Sequence, residues 1–151
     1  MASSQSNLLD RIALVLRVIL GLIFVYAAYT KLRDPWALFA MAIDSYGILP
    51  LRWVEFVAKT LPWFELILGL ALILGAVRKV TTTITALLLL VFFSLILRAH
   101  FKGQEINCGC FGPGEVISWK TMLRDGSMVA GAIFVTVMAF VRRNRPRATN
   151  V

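Results

Sequence analysis

The sequence predicts an all-α, polytopic membrane protein: a four-transmembrane-helix bundle with a short amphipathic interfacial helix in its first long loop. Three observations predict this class. Hydrophobic residues fill 59% of the 151 positions, well above the roughly 45–50% typical of soluble domains. Four apolar stretches, at about 12–30, 58–77, 80–99 and 121–141, each come close to the ~20 residues a helix needs to cross a bilayer. The segments between them are either very short or carry the glycines, prolines and charges of connections. Neither an internal repeat nor a low-complexity tract interrupts the pattern, so a single domain spanning 1–151 is expected.

The first span, from Ile12 to Thr30, is full length and is followed by Tyr29-Thr30-Lys31 instead of a small-residue cleavage motif. It is therefore expected to remain as a span and not to be removed as a signal peptide. Arg17 lies within it, about two turns from its start, where a long aliphatic stem lets the guanidinium snorkel to the head groups. The connection that follows, 31–57, contains Pro35, Gly47 and Pro50. Between them Trp36, Phe39, Ala40, Ile43 and Gly47 recur at helical spacing, with Asp34 and Asp44 off that stripe, which predicts a short helix lying in the plane of the membrane surface.

The second span opens on Pro62 and Trp63 and carries Glu65 about two turns in. An ionised carboxylate at that depth is costly without a partner. Arg98, at similar depth near the end of the third span, is the first choice, and Lys31 and Lys59 are the alternatives. The turn Val77-Arg78-Lys79-Val80 is so short that spans two and three must run antiparallel as neighbours. His100, at the end of span three, reads as an interfacial residue. Span four has Arg124 and Asp125 just inside its start, read as an interfacial arginine beside a near-neighbour acid, and it ends on the run RRNRPR.

Orientation follows from the basic residues. They divide evenly between the two ends of the bundle, but RRNRPR adjoins the last span directly and lacks nearby acids, so the positive-inside rule places both termini and the basic tail 142–151 in the cytoplasm. The net charge of +8 then reads as attraction to lipid head groups, with no nucleic-acid partner. The two long connections fall on the extracytoplasmic side.

The third connection, 101–119, contains four glycines, one proline and the only two cysteines, Cys108 and Cys110, with Gly109 between them. In an oxidising compartment such a pair can persist as a disulfide. As a staple it would enclose one residue, and chain-entropy stabilisation grows with the residues enclosed. A bridge this short also departs from relaxed geometry, and strain eases reduction, the property of catalytic disulfides. Two independent free thiols, or two ligands of a metal site, are the other readings. A closed zinc site wants four ligands, and the single histidine, His100, stands eight residues before Cys108 without further partners. The spacing favours a redox pair and no metal.

Aromatic residues gather at the same end. Tyr26, Tyr29, Trp36, Trp53, Trp63 and Trp119 fit an interfacial belt. A sharper reading has Trp36, Trp63, Phe111 and Trp119 wall an apolar pocket under the cysteine loop, suited to a quinone ring.

The fragments GLIFVYAAYTKLRDP, IDSYGILP, LPWFELILGLALI and NCGCFG, in this order across four spans, resemble the MauE family of methylamine-utilisation proteins, within the wider DoxX-like membrane proteins. The resemblance implies a four-helix bundle in a bacterial inner membrane and a role in extracytoplasmic thiol chemistry beside a periplasmic thioredoxin-like protein. It points to Tyr26, Lys31, Tyr46, Pro50, Pro62, Glu65, Gly69, Cys108, Cys110 and Phe111. By analogy, disulfide-generating quinone reductases also set cysteines on a four-helix bundle near a quinone. This chain has no CxxC motif and no second cysteine pair, so any relay would run directly between Cys108/Cys110 and a cofactor or an outside protein. The expected function is thiol–disulfide exchange through Cys108 and Cys110, with Glu65 either passing protons to the thiols or forming a structural ion pair that fixes the bundle, and Trp63, Phe111 and Trp119 are the candidates for holding a quinone. A non-catalytic anchor or assembly factor for a periplasmic redox protein is the alternative, and a quinone-linked oxidoreductase the second.

Overall fold

The computed structural model describes residues 2–103 and 117–141. Cys108, Cys110, Phe111 and the tail 142–151 lie outside the described residues. Five helices follow in order: α1 (Ala2–Arg33), α2 (Trp36–Asp44), α3 (Leu51–Leu74), α4 (Arg78–Phe101) and α5 (Trp119–Val141). The described residues contain no strand. α1, α3, α4 and α5 are each long and apolar enough to cross a membrane, and the chain is a multi-pass membrane protein.

The second spanning helix begins at Leu51, where a start near residue 58 was expected. Pro50 supplies the reason: its φ of −67° stands just before the first turn, where a missing N–H costs nothing. The prolines and glycine at 35, 47 and 50, with Arg52 and Glu55 after them, fit a connection as well as a helix. The stretch from Leu51 is a helical extension whose inner face, Val54 and Ala58, is buried together with Phe39 and Ala42 of α2. The surface helix therefore exists, but it turns Phe39 and Ala42 inward and leaves Trp36 exposed. Gly47 lies beyond it, in a turn with φ +62°.

α3 also ends earlier than expected, at Leu74. Gly75 adopts φ +73°, and the N–H groups of Gly75 and Ala76 donate back to the carbonyls of Leu72 and Ala71, a left-handed cap that closes the helix. Val77 is left-handed too, at φ +39°, a strained conformation for a β-branched residue. Gly75, Ala76 and Val77 thus complete the turn from α3 into α4.

Close backbone approach sets the strongest pairing, α1 with α3. A methyl group on Gly21 would sit 2.8 Å from the Gly69 carbonyl oxygen, and one on Gly69 would sit 2.8 Å from the Gly21 carbonyl oxygen. Between spanning helices, where lipid is as apolar as leucine, such small-residue contacts replace the hydrophobic drive of soluble cores. α4 pairs with α5, and the Thr136 hydroxyl donates across to the Thr82 carbonyl at 3.0 Å. Thr81, Thr82 and Thr85 are buried at the start of α4, and their hydroxyls donate to carbonyls about one turn back, so no polar side chain among them is left unsatisfied. α1 also packs on α5. The helices joined by the shortest turn, α3 and α4, touch least of the neighbouring spans, so the two tight pairs enclose a core of Leu20, Phe24, Leu68, Leu72, Leu89 and Val129.

This packing makes a directional prediction. Gly69→Val overpacks the α1–α3 contact and is expected to destabilise by about 1–3 kcal/mol, the usual cost of forcing extra methyl groups into a filled core. Gly131→Val on α5, where an added Cβ meets nothing within 4 Å, is expected to be close to neutral. Thermal unfolding of both variants in detergent checks the contrast.

Candidate functional site: a buried ion pair between α1 and α3

Glu65 is buried and paired, and its partner is Lys31. The ammonium lies 2.7 Å from both Oε1 and Oε2, with side-chain exposures of 1% for Lys31 and 6% for Glu65. The register explains the choice. Starting from the contact of Gly21 with Gly69, Lys31 is ~15 Å further along α1 and Glu65 ~6 Å back along α3, at 1.5 Å per residue. Side chains tilt toward the N-terminus of their own helix. Because α1 and α3 are antiparallel, the Lys31 and Glu65 side chains tilt toward one another and close that gap.

Arg98, the expected partner, does not take part. It sits between Ile96 and Ala99, which turn inward at 0% and 1% exposure, so Arg98 faces outward on α4 and is exposed. Its helix also meets α3 far less than α1 does. Lys59 is exposed as well; it lies 3.9 Å from the Glu55 carboxylate and 4.3 Å from the centre of the Trp36 ring.

The Lys31 ammonium is further enclosed by aromatic faces, 5.0 Å from the Phe39 ring centre and 5.7 Å from that of Phe92. Such placement sets the ammonium against the electron-rich faces of both rings. Phe39 comes from the surface helix α2 and Phe92 from α4, so four elements hold one ammonium. Below the pair is an internal cavity of about 40 Å³, lined by Lys31, Glu65, Phe92, Ile96 and Asp125 among others. That is room for one water or a few.

Asp125 is a residue that sequence reasoning placed wrongly. Its carboxylate does meet the neighbouring Arg124, with Arg124 Nε donating at 3.0 Å, but Asp125 is only 4% exposed and faces the cavity. The reading of an interfacial arginine with a nearby acid therefore holds for the contact and fails for the location. The inward turn is set at the start of α5: the Ser118 N–H donates to Thr121 Oγ1 at 2.8 Å, an N-terminal capping arrangement. Thr121, Asp125, Val129 and Ala132 then form the buried stripe. That spacing of three and four residues was the available signal, and it joins Asp125 to the core face of its helix.

Above the pair a second opening lies between the end of α1, the start of α2 and α3. This cleft, of about 430 Å³, is lined by Asp34, Trp36, Lys59, Pro62 and Trp63, with Lys31 at its inner side. Lys31 thus borders both the outer cleft and the inner cavity. Pro62 lies inside α3 and has no N–H to offer the Ala58 carbonyl one turn back, so the cleft wall is also where the helix ladder is broken. Of the expected aromatic pocket, Trp36 and Trp63 meet in this cleft. Trp119 does not line it; it stands at the start of α5, 66% exposed. Tyr26 is 58% exposed on the outside of α1.

Chemically, the arrangement is a carboxylate and an ammonium in hydrogen-bond contact, with a second carboxylate on the same small cavity. A proton passed from Lys31 to Glu65 changes two charges into two neutral groups without altering the net charge of the site.

Residues 9–139 match the family model described as methylamine utilisation protein MauE. Among curated proteins, the chain is 31% identical over 123 residues to the methylamine utilization protein MauE of Paracoccus denitrificans, a match covering 80% of this chain and 66% of that protein. It is 30% identical over 100 residues to the protein of the same name from Methylophilus methylotrophus, covering 66% of this chain and 52% of that protein. The matched region is thus less than two thirds of the length of either relative. No solved structure matches the chain significantly.

Proposed function

The chain belongs to the MauE family of membrane proteins, and from that premise we propose that it exchanges electrons between Cys108 and Cys110 and an extracytoplasmic thioredoxin-like protein. The exchange would serve maturation of secreted proteins, and the relatives' names suggest proteins of methylamine utilisation. The observation that carries this reading is positional. The segment holding both cysteines runs from the end of α4 to the start of α5, at the end of the bundle where the outer cleft opens onto Lys31 and, behind it, Glu65. The helix ends that flank that segment, Phe101 and Trp119, thus belong to the same end of the bundle as Lys31 and Glu65.

In the step proposed, a thiolate of the partner attacks one sulfur of the Cys108–Cys110 bridge and the other sulfur leaves as a thiolate. The partner's second thiolate then attacks its own sulfur in the mixed disulfide, which forms the partner's disulfide and frees the remaining cysteine. Two electrons move to this chain, and the two thiolates formed take up two protons. Glu65 and Lys31 are the groups placed to pass those protons. Re-oxidation of the dithiol needs a two-electron acceptor, and a quinone is the class that suits the outer cleft: the indoles of Trp36 and Trp63 offer flat apolar faces, and Lys31 and Lys59 offer donors.

Spheroplasts provide the test. A thioredoxin-fold protein reduced to its single attacking cysteine and activated there as a mixed disulfide with thionitrobenzoate, added from outside, should be captured by Cys110 in the Cys108→Ser variant or by Cys108 in Cys110→Ser with release of thionitrobenzoate, and a membrane-impermeant maleimide applied first should prevent it. An adduct only after lysis would reverse the orientation. If neither variant forms an adduct on either side, the anchor or assembly role replaces exchange.

A further inference from the structure

The end of the bundle opposite the cysteine loop holds a second built feature. A cleft of about 310 Å³ lies between α1, α4 and α5, lined by Arg11, Arg17 and Arg78, with Asp10 as the one acid in the lining. Its remaining wall includes Leu14, Val135 and Met138. We propose that this cleft binds the headgroup phosphate of an anionic phospholipid from the adjoining leaflet, with the acyl chains running along the apolar wall.

Charge is the first support. Three guanidiniums and one carboxylate line the cleft, an excess of two positive charges, and the first turn of α4, where Arg78 stands, contains no acidic residue. Guanidinium groups match phosphate geometrically through paired donors. Basic pockets between spanning helices on the positive side of a membrane protein are suited to such headgroups.

Depth is the second. The Arg17 guanidinium lies over Gly75, so close that a methyl group there would stand 2.8 Å from it. Gly75 closes α3, which sets Arg17 at the end of the spanning region, level with the start of α4. α1 continues past that level toward its N-terminus: its 32 residues make a helix of ~48 Å, longer than the ~30 Å hydrocarbon core. Asp10 and Arg11 accordingly stand beyond the core. Thr82 is one turn inside α4, and Val135 almost two turns inside the end of α5. The outer end of the cleft is thus charged, with Asp10 and Arg11 beyond Arg17, and its inner end is formed by Thr82 and Val135. A free phosphate ion would use only the charged end; a phospholipid uses both.

Arg11 and Arg78 are exposed, so their replacement leaves the helix packing in place. The purified full-length protein is mixed in detergent with dioleoylphosphatidylglycerol or dioleoylphosphatidylcholine and lipid retention is read by native mass spectrometry. The wild type is expected to retain phosphatidylglycerol preferentially at low salt, a preference that fades at high salt and withstands millimolar inorganic phosphate. In Arg11→Gln/Arg78→Gln, phosphatidylglycerol retention should fall about 30-fold, at roughly 1 kcal/mol for each of the two basic residues near the headgroup, with phosphatidylcholine retention unchanged. Equal retention of the two lipids by the wild type would overturn the proposal, as would a double variant that keeps the preference. Competition by inorganic phosphate would instead assign the cleft to free anions and overturn the lipid reading.

Discussion

Lys31→Met is expected to destabilise the protein by about 3–5 kcal/mol, the cost of stranding a buried charge by removing its partner. The methionine side chain fills much of the lysine volume, so the loss isolates the charge. Glu65 would be left at 6% side-chain exposure with the groups nearest it on the cavity wall either apolar or, in Asp125, of the same sign. Adding Glu65→Leu should recover most of that loss, because exchanging both members of a buried pair for apolar residues of similar size is often neutral or stabilising. Thermal unfolding of the two single variants and the double variant in detergent gives the coupling directly. A Lys31→Met variant as stable as the wild type would show that the pair is not a buried contact. The double variant then separates two roles: if the pair only fixes the bundle, exchange should recover along with stability, whereas if it passes protons the protein will be stable and its exchange slow.

Cys108→Ser and Cys110→Ser are each expected to abolish disulfide exchange while lowering stability by less than about 2 kcal/mol, since a ring enclosing a single residue constrains the unfolded chain little. The contrast with Lys31→Met is the informative result: one class of variant loses activity and keeps the fold, the other loses the fold. Redox titration of the purified protein against glutathione adds an independent measure. The pair should titrate above about −300 mV, because structural disulfides fall below that potential. A bridge that remains oxidised there would remove exchange as a function and leave the assembly role.

How much of this was legible in advance depended on which interactions decide each feature. Span number and helix class follow from residue types in runs, and these were correct because the bilayer imposes length and apolarity on each helix separately. Helix ends were read less well. The start of α3 was missed because Arg52 and Glu55 mark exposure, which a helix projecting beyond the membrane shares with a loop. The end of α3 was missed by three residues because Gly75 and Val77 take left-handed conformations, and for valine nothing local favours that.

The candidate site divides in the same way. Glu65 was identifiable alone, since a carboxylate deep in an apolar span demands a partner whatever the fold. Which cation answers it was not, because depth along a helix is a one-dimensional property that Arg98, Lys59 and Lys31 satisfied comparably. The choice fell to Lys31 through rotation and register: the glycines at 21 and 69 let α1 and α3 close up, and the antiparallel tilt of side chains brought Lys31 and Glu65 together, while Ile96 and Ala99 took the inward positions on α4. Asp125 joined the same cavity for a like reason, as a member of the buried stripe of α5. What the amino-acid sequence determined by itself was the set of groups that could not stay unpaired in a membrane; the tertiary structure decided which of them meet, because a buried charge is satisfied by contact at about 3 Å, and only the packing of helices sets distances that short.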